Sequence, residues 1–288
     1  MERSIRNGTL SIKVKQKGAE LCSLIDPYGT EYMWQADPEI WGFHSPILFP
    51  IIGQLPNGSY TYKEKIYNLT PHGFARHMDF ELIKESADTL QYRLQSSPET
   101  EKAYPFTFIL FVEYRMAENR IEVHYKVKNN GPEKMYFSIG GHPAFSLNWI
   151  KDSRIEYYYL EFEKNETLET HTLDNHLLSN NIRKVLNNEK LLFLHKDIFN
   201  QNALIFLNRK SNSVTLCSHK SSNRLTVEFP GFTALGIWAK PGAPFVCIEP
   251  WYGFTDPSKP YGSFENKPGI INLDSGKEFT CVFNITIN

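Results

Sequence analysis

The chain has 288 residues, 41% hydrophobic and 22% charged, a composition typical of a folded globular protein rather than a disordered one. Its 31 basic and 32 acidic residues give a net charge of −1, which predicts neither a nucleic-acid partner nor an anionic membrane partner. No apolar run approaches the roughly 18 residues of a membrane span, and none follows the N-terminal MERSIRNGTL, so we also expect no signal peptide.

Apolar and polar side chains alternate with a period of two along most of the chain, which predicts β-strands. The clearest run is 121–128, which ends in the turn residues Asn-Asn-Gly-Pro of 129–132. Short strands separated by Gly, Pro and Asn clusters are typical of a β-sandwich or barrel. The other predicted strands are, in chain order, 10–14, 59–66, 89–94, 106–114, 135–139, 157–162, 203–207, 225–229, 245–249 and 279–287.

Helical periodicity is scarce. Only 181–194 has it, with Ile182, Val185 and Leu186 at helical spacing, so one short helix is predicted there. We find no internal repeat, no low-complexity tract and no linker rich in Gly, Ser or Pro. The sequence therefore predicts one all-β domain over residues 1–288.

Three short segments carry a titratable side chain beside glycine or proline, near the predicted end of a strand. They are PHGFARH with His72, GGHPAF with His142 and CIEPWYG with Glu249. Glycine permits close approach of a ligand to the backbone, and proline is expected to end the strand. We therefore expect the three side chains to project from a rigid sheet into one cleft.

Each of these residues also has a structural alternative. A histidine after Gly-Gly can simply bond a loop carbonyl, and Glu249 shares strand parity with Phe245 and Cys247, so it faces apolar company. A carboxylate there is either paired or functional, because burying it alone is costly. Only the occurrence of all three segments in one β domain favours a site.

Metal and cofactor chemistry have no recognisable motif in the sequence. No HxH, HExxH or His/carboxylate spacing appears, and there is no phosphate-binding loop, dinucleotide fingerprint or GxSxG, so neither a metal nor a cofactor is predicted. The remaining loop histidines have no ligand spacing. The four cysteines occur singly, which predicts reduced, buried thiols of a cytoplasmic protein; they are Cys22, Cys217, Cys247 and Cys281.

Taken in order, four segments resemble the aldose 1-epimerase (galactose mutarotase) superfamily, and more closely its bacterial LacX-like branch. The resemblance extends over nearly the whole chain and implies a large twisted antiparallel β-sandwich with a sugar site in a cleft on one sheet. The segments are WGFHSPILFPIIGQLPNG at 41–58, HGFAR at 72–76, GGHPAF at 140–145 and CIEPWYG at 247–253.

The resemblance also implies roles for individual residues. Glu249 matches the general base, His142 the general acid and His72 another catalytic-site histidine, while Arg76 matches an arginine that helps to hold the substrate. Trp251 is the nearest aromatic side chain that could stack on a sugar ring.

Two positions depart from the family pattern. Gln54 stands where many relatives have an arginine that contacts sugar hydroxyls, so hydrogen bonding is kept and the charge is lost. An acidic sugar ligand is expected ahead of the strand at 203–207, but the local residues are Asn200, Gln201 and Asn202, with Asp197 earlier.

The expected function is a mutarotase that interconverts α and β anomers of an aldose or aldose phosphate by acid/base ring opening. Its partner would be a small sugar, and it would act as a monomer or homodimer. Two alternatives remain open. A non-catalytic carbohydrate-binding or sensory protein is favoured by Gln54, whereas a glycoside hydrolase or lyase needs a second carboxylate that no motif supplies.

Overall fold

The computed structural model describes residues 1–288 as 24 β-strands with a single α-helix, α1 (Pro98–Ala103), which confirms the all-β prediction. The strands are β1 (Glu2–Arg6), β2 (Ser11–Lys15), β3 (Leu21–Ile25), β4 (Ile47–Leu48), β5 (Ser59–Tyr62), β6 (Lys65–Asn68), β7 (Glu81–Glu85), β8 (Thr89–Gln95), β9 (Phe108–Ala117), β10 (Arg120–Asn129), β11 (Met135–Phe137), β12 (Ile139–Gly141), β13 (Ala144–Ser146), β14 (Tyr158–Glu166), β15 (Glu169–Asp174), β16 (Leu177–Lys184), β17 (Glu189–Phe193), β18 (Leu204–Phe206), β19 (Ser213–Ser218), β20 (Ser221–Glu228), β21 (Ala234–Trp238), β22 (Phe245–Tyr252), β23 (Ile271–Leu273) and β24 (Glu278–Ile287). None of the helices has the length and apolar character needed to cross a membrane.

Two antiparallel sheets form the body of the fold. The larger has nine strands in the order β17-β14-β19-β20-β24-β10-β9-β8-β7, and the smaller has the order β18-β21-β22-β12-β4, with β13 also paired to β22. The alternation in β10 explains its place in the larger sheet: every second side chain is buried and the intervening ones are half-buried. Such one-sided burial is what a two-layer sandwich requires.

The two sheets meet closely at a glycine. A Cβ at Gly141 in β12 would lie 3.0 Å from the Phe283 ring and 3.1 Å from the Tyr125 hydroxyl, both in the nine-stranded sheet. A core of 70 buried residues fills the molecule from Ile5 to Ile287. A second cluster of six buried residues contains Leu48, Ile52, Leu178, Ile205, Ala234 and Trp251.

The predicted helix over 181–194 is wrong. The region instead forms the end of β16 and all of β17, joined by a turn in which Asn188 has φ 60°. β17 pairs with β14 and closes one edge of the nine-stranded sheet. The helical spacing is local, and the long-range pairing outweighs it; Ile182, one of the three residues that suggested a helix, is 56% exposed.

The predicted strand over 59–66 is also wrong as a single element. It is the hairpin β5–β6, which turns at Lys63 and Glu64 with φ 47° and 64°. Two-residue hairpin turns with positive φ normally use glycine or asparagine, so Lys63-Glu64 carries no recognisable turn signal. The run at 135–139 likewise divides into β11 and the start of β12.

Candidate active site

A cavity of about 230 Å³ contains most of the residues that the sequence singled out. His72, His142 and Glu249 all line it, together with Gln54 and Trp251, although they come from distant parts of the chain. The cavity is smaller than the roughly 300–1,000 Å³ of typical ligand pockets, a size that suits one sugar ring better than an oligosaccharide.

Strand register brings the imidazole and the carboxyl together. Across from β22, Gly140 pairs with Trp251 and Ala144 pairs with Cys247, so position 142 lies opposite position 249. Side chains directly opposite each other in an antiparallel pair share one face of the sheet. His142 Nε2 accordingly lies 3.2 Å from Glu249 Oε2, and both side chains are buried.

Glu249 is not near a strand end, contrary to the expectation that Pro250 stops the strand. β22 continues through Pro250 to Tyr252. On one side of β22, Pro250 pairs with Leu235 of β21. On the other side, the pairing between β22 and β12 ends at Trp251, so Pro250 falls where that ladder is already interrupted. The proline therefore fits inside the strand, and the carboxyl is held at mid-strand rather than on a loop.

Two glycines make the slot that holds the Trp251 indole. A Cβ at Gly236, which pairs with Glu249, would come within 2.6 Å of the Trp251 ring, and so would a Cβ at Gly140. The indole therefore lies flat over the neighbouring strands beside the carboxyl. It packs against Ile205 in the small apolar cluster and forms a wall of the cavity.

Aromatic rings fix the orientation of His142. Its imidazole stacks on Trp41 with centroids 4.9 Å apart and meets the edge of Trp238 at 5.7 Å. Its backbone N–H donates to the carbonyl of Pro46. Because two indoles pack against the imidazole and the backbone N–H is hydrogen-bonded, His142 Nε2 stays directed toward Glu249.

His72 occupies a tight turn that fixes its tautomer. His72 and Gly73 have φ 66° and 72°, and a Cβ on Gly73 would lie 2.3 Å from the Phe49 carbonyl oxygen, so only glycine fits there. The backbone N–H of Gly53 donates to His72 Nδ1 at 3.1 Å. The neutral ring therefore carries its proton on Nε2 and can donate a hydrogen bond in the cavity.

Arg76 lies beside the cavity and not in its wall. Its Nη2 donates to the Pro71 carbonyl at 2.7 Å, its Nε donates to His77, and its guanidinium stacks 5.0 Å from the Phe43 ring centroid. The side chain thus braces the turn that presents His72. Its positive charge lowers the pKa of His72 and His142, in each case as a smaller cause than burial.

Two further polar residues line the cavity: His176, which the sequence analysis set aside with the loop histidines, and Asn202, which it named without a role. Asn175 and His176 form the tip of the β15–β16 hairpin with φ 48° and 67°, and His176 lines the cavity. Asn202 also lines it, with Nδ2 3.2 Å from His176 Nδ1. Asn202 thus stands closest to where an acidic ligand was expected, whereas His176 could not be found without knowing the hairpin.

Thr255 ties three segments of the wall together. Its Oγ1 accepts from the Gln54 N–H at 2.9 Å and donates to the His176 carbonyl, also at 2.9 Å. Gly53 has φ 70°, and a Cβ there would lie 2.1 Å from the Thr255 side chain. Beneath it, Asp256 and Lys267 form a fully buried ion pair that anchors the loop after β22.

Comparison with known proteins shows the family. The family model described as aldose 1-epimerase matches residues 2–261. The chain belongs to the aldose 1-epimerase family. It is 33% identical to Protein LacX of Lactococcus lactis, with all of this chain and 99% of that protein covered, which confirms the LacX-like resemblance.

Solved structures of the family superpose along the whole chain. The galactose mutarotase related enzyme from Lactobacillus acidophilus is 36% identical with a TM-score of 0.96, covering 100% of this chain and 97% of that one. A galactose mutarotase-like protein from Lactobacillus casei is 28% identical with a TM-score of 0.94, covering all of both chains. The galactose mutarotase-like all-β fold is therefore confirmed.

Burial sets the favoured charge states of Glu249 and His142 in this aldose 1-epimerase family member. It raises the pKa of the Glu249 carboxyl well above its usual value, an effect that the Trp251 indole only partly offsets. Burial, with a smaller contribution from Arg76, lowers the pKa of His142 to about 3. Burial thus disfavours the charged form of both groups and favours a protonated carboxyl beside a neutral imidazole.

Glu249→Gln is expected to stabilise the fold at neutral pH. The unfolded carboxyl ionises near its ordinary pKa of 4.5, whereas the folded one keeps its proton to higher pH, so wild type loses stability as pH rises above 4.5. The loss is up to about 1.4 kcal/mol per pH unit until the folded pKa is reached, and glutamine removes it. Thermal melting at several pH values measures this. A Tm advantage that does not shrink toward pH 4.5 would contradict the assigned protonation.

The structure also reveals a cluster of potential metal ligands that residue spacing in the sequence did not indicate. Ligand-type atoms of His142, Cys247 and Glu249 all lie within 4.8 Å of one another, and all three residues are buried. The sequence showed no His/carboxylate cluster because position 142 reaches position 249 only through strand pairing. All four cysteines are free and buried.

Proposed function

We propose that this aldose 1-epimerase family member is a mutarotase that interconverts the α and β anomers of an uncharged aldose. The observation that carries the proposal is the pair of His142 Nε2 and Glu249 Oε2, 3.2 Å apart on a buried wall of the cavity. A matched acid and base in contact, with room for one ring, is what anomer interconversion needs and what mere sugar binding does not.

The reaction needs one proton removed and one delivered. The Glu249 carboxylate takes the proton of the C1 hydroxyl, the C1–O5 bond breaks as C1=O1 forms, and the His142 imidazolium protonates O5. The open-chain aldehyde rotates about C1–C2, and the same transfers in reverse close the ring on the other face. Each proton transfer of this kind contributes roughly 10²–10⁴-fold in rate.

The protonation states of His142 and Glu249 suit this cycle. Opening begins with carboxylate and imidazolium and ends with carboxylic acid and neutral imidazole, the form that burial favours. The site thus stabilises the charge state that accompanies the open-chain aldehyde, and sugar hydroxyls bonded to Glu249 help to stabilise the ion pair that starts opening. No proton has to be exchanged with water during the cycle.

The cavity walls support an uncharged substrate. Trp238 and Trp251 present indole rings for the apolar face of a sugar, and Gln54 and Asn202 offer amide donors and acceptors for its hydroxyls. His72 adds an Nε2–H donor. No lysine or arginine lines the cavity, and the nearby Arg76 is bonded to Pro71 and His77, so a phosphate would lack a free cationic partner.

Polarimetry tests the proposal directly. Freshly dissolved α-glucose or α-galactose should reach anomeric equilibrium faster with the protein than by the spontaneous rate, while glucose 6-phosphate should be accelerated much less. Faster equilibration of the phosphate than of the free sugars would contradict the uncharged substrate.

A non-catalytic carbohydrate-binding protein is the second candidate. The neutral Gln54 in the cavity wall, in place of the arginine of many relatives, favours it. Calorimetric binding of an aldose without acceleration of any aldose or aldose phosphate would favour this alternative and overturn the mutarotase.

A further inference from the structure

The acid/base pair has a third chemically active neighbour, the thiol of Cys247. Cys247 and Glu249 are two residues apart in β22, so their side chains lie on the same face of the strand, and His142 stands across from them. One potential ligand atom from each residue lies within 4.8 Å of the other two. Nitrogen, sulfur and oxygen donors therefore converge on one point.

Some of these atoms make no hydrogen bond in the fold. His142 Nδ1 is buried without one, and Glu249 Oε2, although it lies 3.2 Å from His142 Nε2, makes none either; the two residues are 7% and 1% exposed. Buried polar atoms are normally satisfied, so such exceptions point to something that binds there. A hydroxyl of a bound sugar supplies the hydrogen bond that the Glu249 oxygen lacks, but interconversion of anomers makes no use of the Cys247 thiol.

We propose that His142, Cys247 and Glu249 bind one thiophilic divalent cation, Zn²⁺ in the first instance, and that this cation inhibits the enzyme. The inhibition rests on the proposed mutarotase function, whereas the binding does not. With the metal in place, the carboxylate and imidazole lone pairs that would carry protons are engaged in coordination, so neither transfer can occur.

The donor set and its spacing fit zinc. With Zn–S near 2.3 Å and Zn–N or Zn–O near 2.0–2.2 Å, tetrahedral ligand atoms stand roughly 3.3–3.7 Å apart, so atoms now within 4.8 Å close by about 1.5 Å at most. Three protein ligands leave the fourth position for water or a sugar hydroxyl. The thiolate selects Zn²⁺ over Mg²⁺ or Ca²⁺, which prefer oxygen alone.

Charge balance also favours the metal. As the metal binds, the Cys247 thiol and the Glu249 carboxyl each release their proton to water, so that a thiolate, a carboxylate and a neutral imidazole carry two negative charges, which one divalent cation cancels. A buried site with no net charge avoids the large cost of an unpaired ion in a medium of low polarity. Cys247 itself is fully buried behind the cavity wall, where Trp238, whose backbone pairs with it, lines the cavity.

Cobalt provides a readout independent of activity, because a thiolate ligand gives Co²⁺ a charge-transfer band in the near ultraviolet. The full chain should show this band and saturate at one equivalent, and Zn²⁺ should abolish it. Cys247→Ser should lose the band, while the matched control Cys281→Ser, which alters another buried thiol, should keep it. In polarimetry, Cys247→Ser should retain basal turnover and require at least about tenfold more Zn²⁺ for half-inhibition.

Absence of the band in wild type, or its persistence in Cys247→Ser, would overturn the metal site. Should Cys247→Ser fail to fold by circular dichroism, Cys247→Ala and His142→Ala must each weaken Co²⁺ binding, and unchanged affinity in both would equally overturn it. A band in a protein that accelerates no sugar would leave the metal site standing and remove the mutarotase. Equal Zn²⁺ inhibition of wild type and Cys247→Ser would remove the inhibitory role.

Discussion

Glu249→Gln should lower mutarotase turnover by about 10²–10⁴-fold while leaving sugar binding largely intact. The amide fills the space of the carboxyl, but it cannot accept the proton of the C1 hydroxyl. His142→Ala should cause a comparable loss by removing the opposite transfer. Because both residues act on one ring-opening step, the double variant should be little worse than either single variant. Turnover is measured by polarimetry and binding by calorimetry.

The matched control is Glu166→Gln. Glu166 is also a buried carboxylate, but its Oε1 accepts from the backbone N–H groups of Lys210 and Ser211, and it does not line the cavity. Its replacement should affect stability and leave turnover per folded molecule unchanged. Equal rates in wild type and Glu249→Gln would overturn Glu249 as the base while leaving an enzyme, and strictly additive losses would argue that the pair does not act together.

Lys267→Met should destabilise the fold by about 3–5 kcal/mol, because it leaves Asp256 buried without its cation. Its effect should also reach the cavity. The Asp256 N–H donates to the Gln54 carbonyl and its own carbonyl accepts from Leu178, so loosening this loop disturbs the wall that Thr255 holds. We expect a higher KM with a smaller change in kcat, together with a fall in Tm of roughly 10 °C.

Two further variants separate the lost ion pair from simple repacking. Asp256→Leu combined with Lys267→Met should recover much of the stability, because an apolar pair avoids the unpaired buried charge. Lys63→Met, which breaks an ion pair with Glu133 at sites 56% exposed, should leave Tm nearly unchanged. A double variant as unstable as Lys267→Met would show that packing of the lysine stem, and not its charge, stabilises the loop.

The all-β class was predictable from sequence because the period-2 pattern is local, as in β10, where burial alternates residue by residue. The hairpins were harder to predict. Their turns use Lys63-Glu64 and Asn175-His176 in left-handed conformations, and only Asn175 belongs to the residues usual at such turns. The false helix arose for a related reason: local spacing could not reveal that β17 completes a distant sheet edge.

The residues of the candidate site likewise differ in whether the sequence could predict them. His72, His142 and Glu249 stand in segments whose glycines and prolines mark unusual backbone, so they could be named in advance. His176 and Asn202 have no such markers, and their position in the cavity depends on how a hairpin tip and a loop are folded back. The contact of His142 with Glu249 depends on strand register across more than a hundred residues, which no local pattern encodes.

Glu249 lies in β22 and His142 lies in the short gap between β12 and β13, which both pair with β22, whereas Gln54, His176 and Asn202 reach the cavity from turns and loops outside the ladder. Substitutions at the loop positions can therefore change which hydroxyl pattern is accepted without moving the proton-transfer groups. Sugar preference and chemistry can then diverge at different rates within a lineage. Directed evolution toward a new aldose has its natural targets in those three positions, with the sheet left untouched.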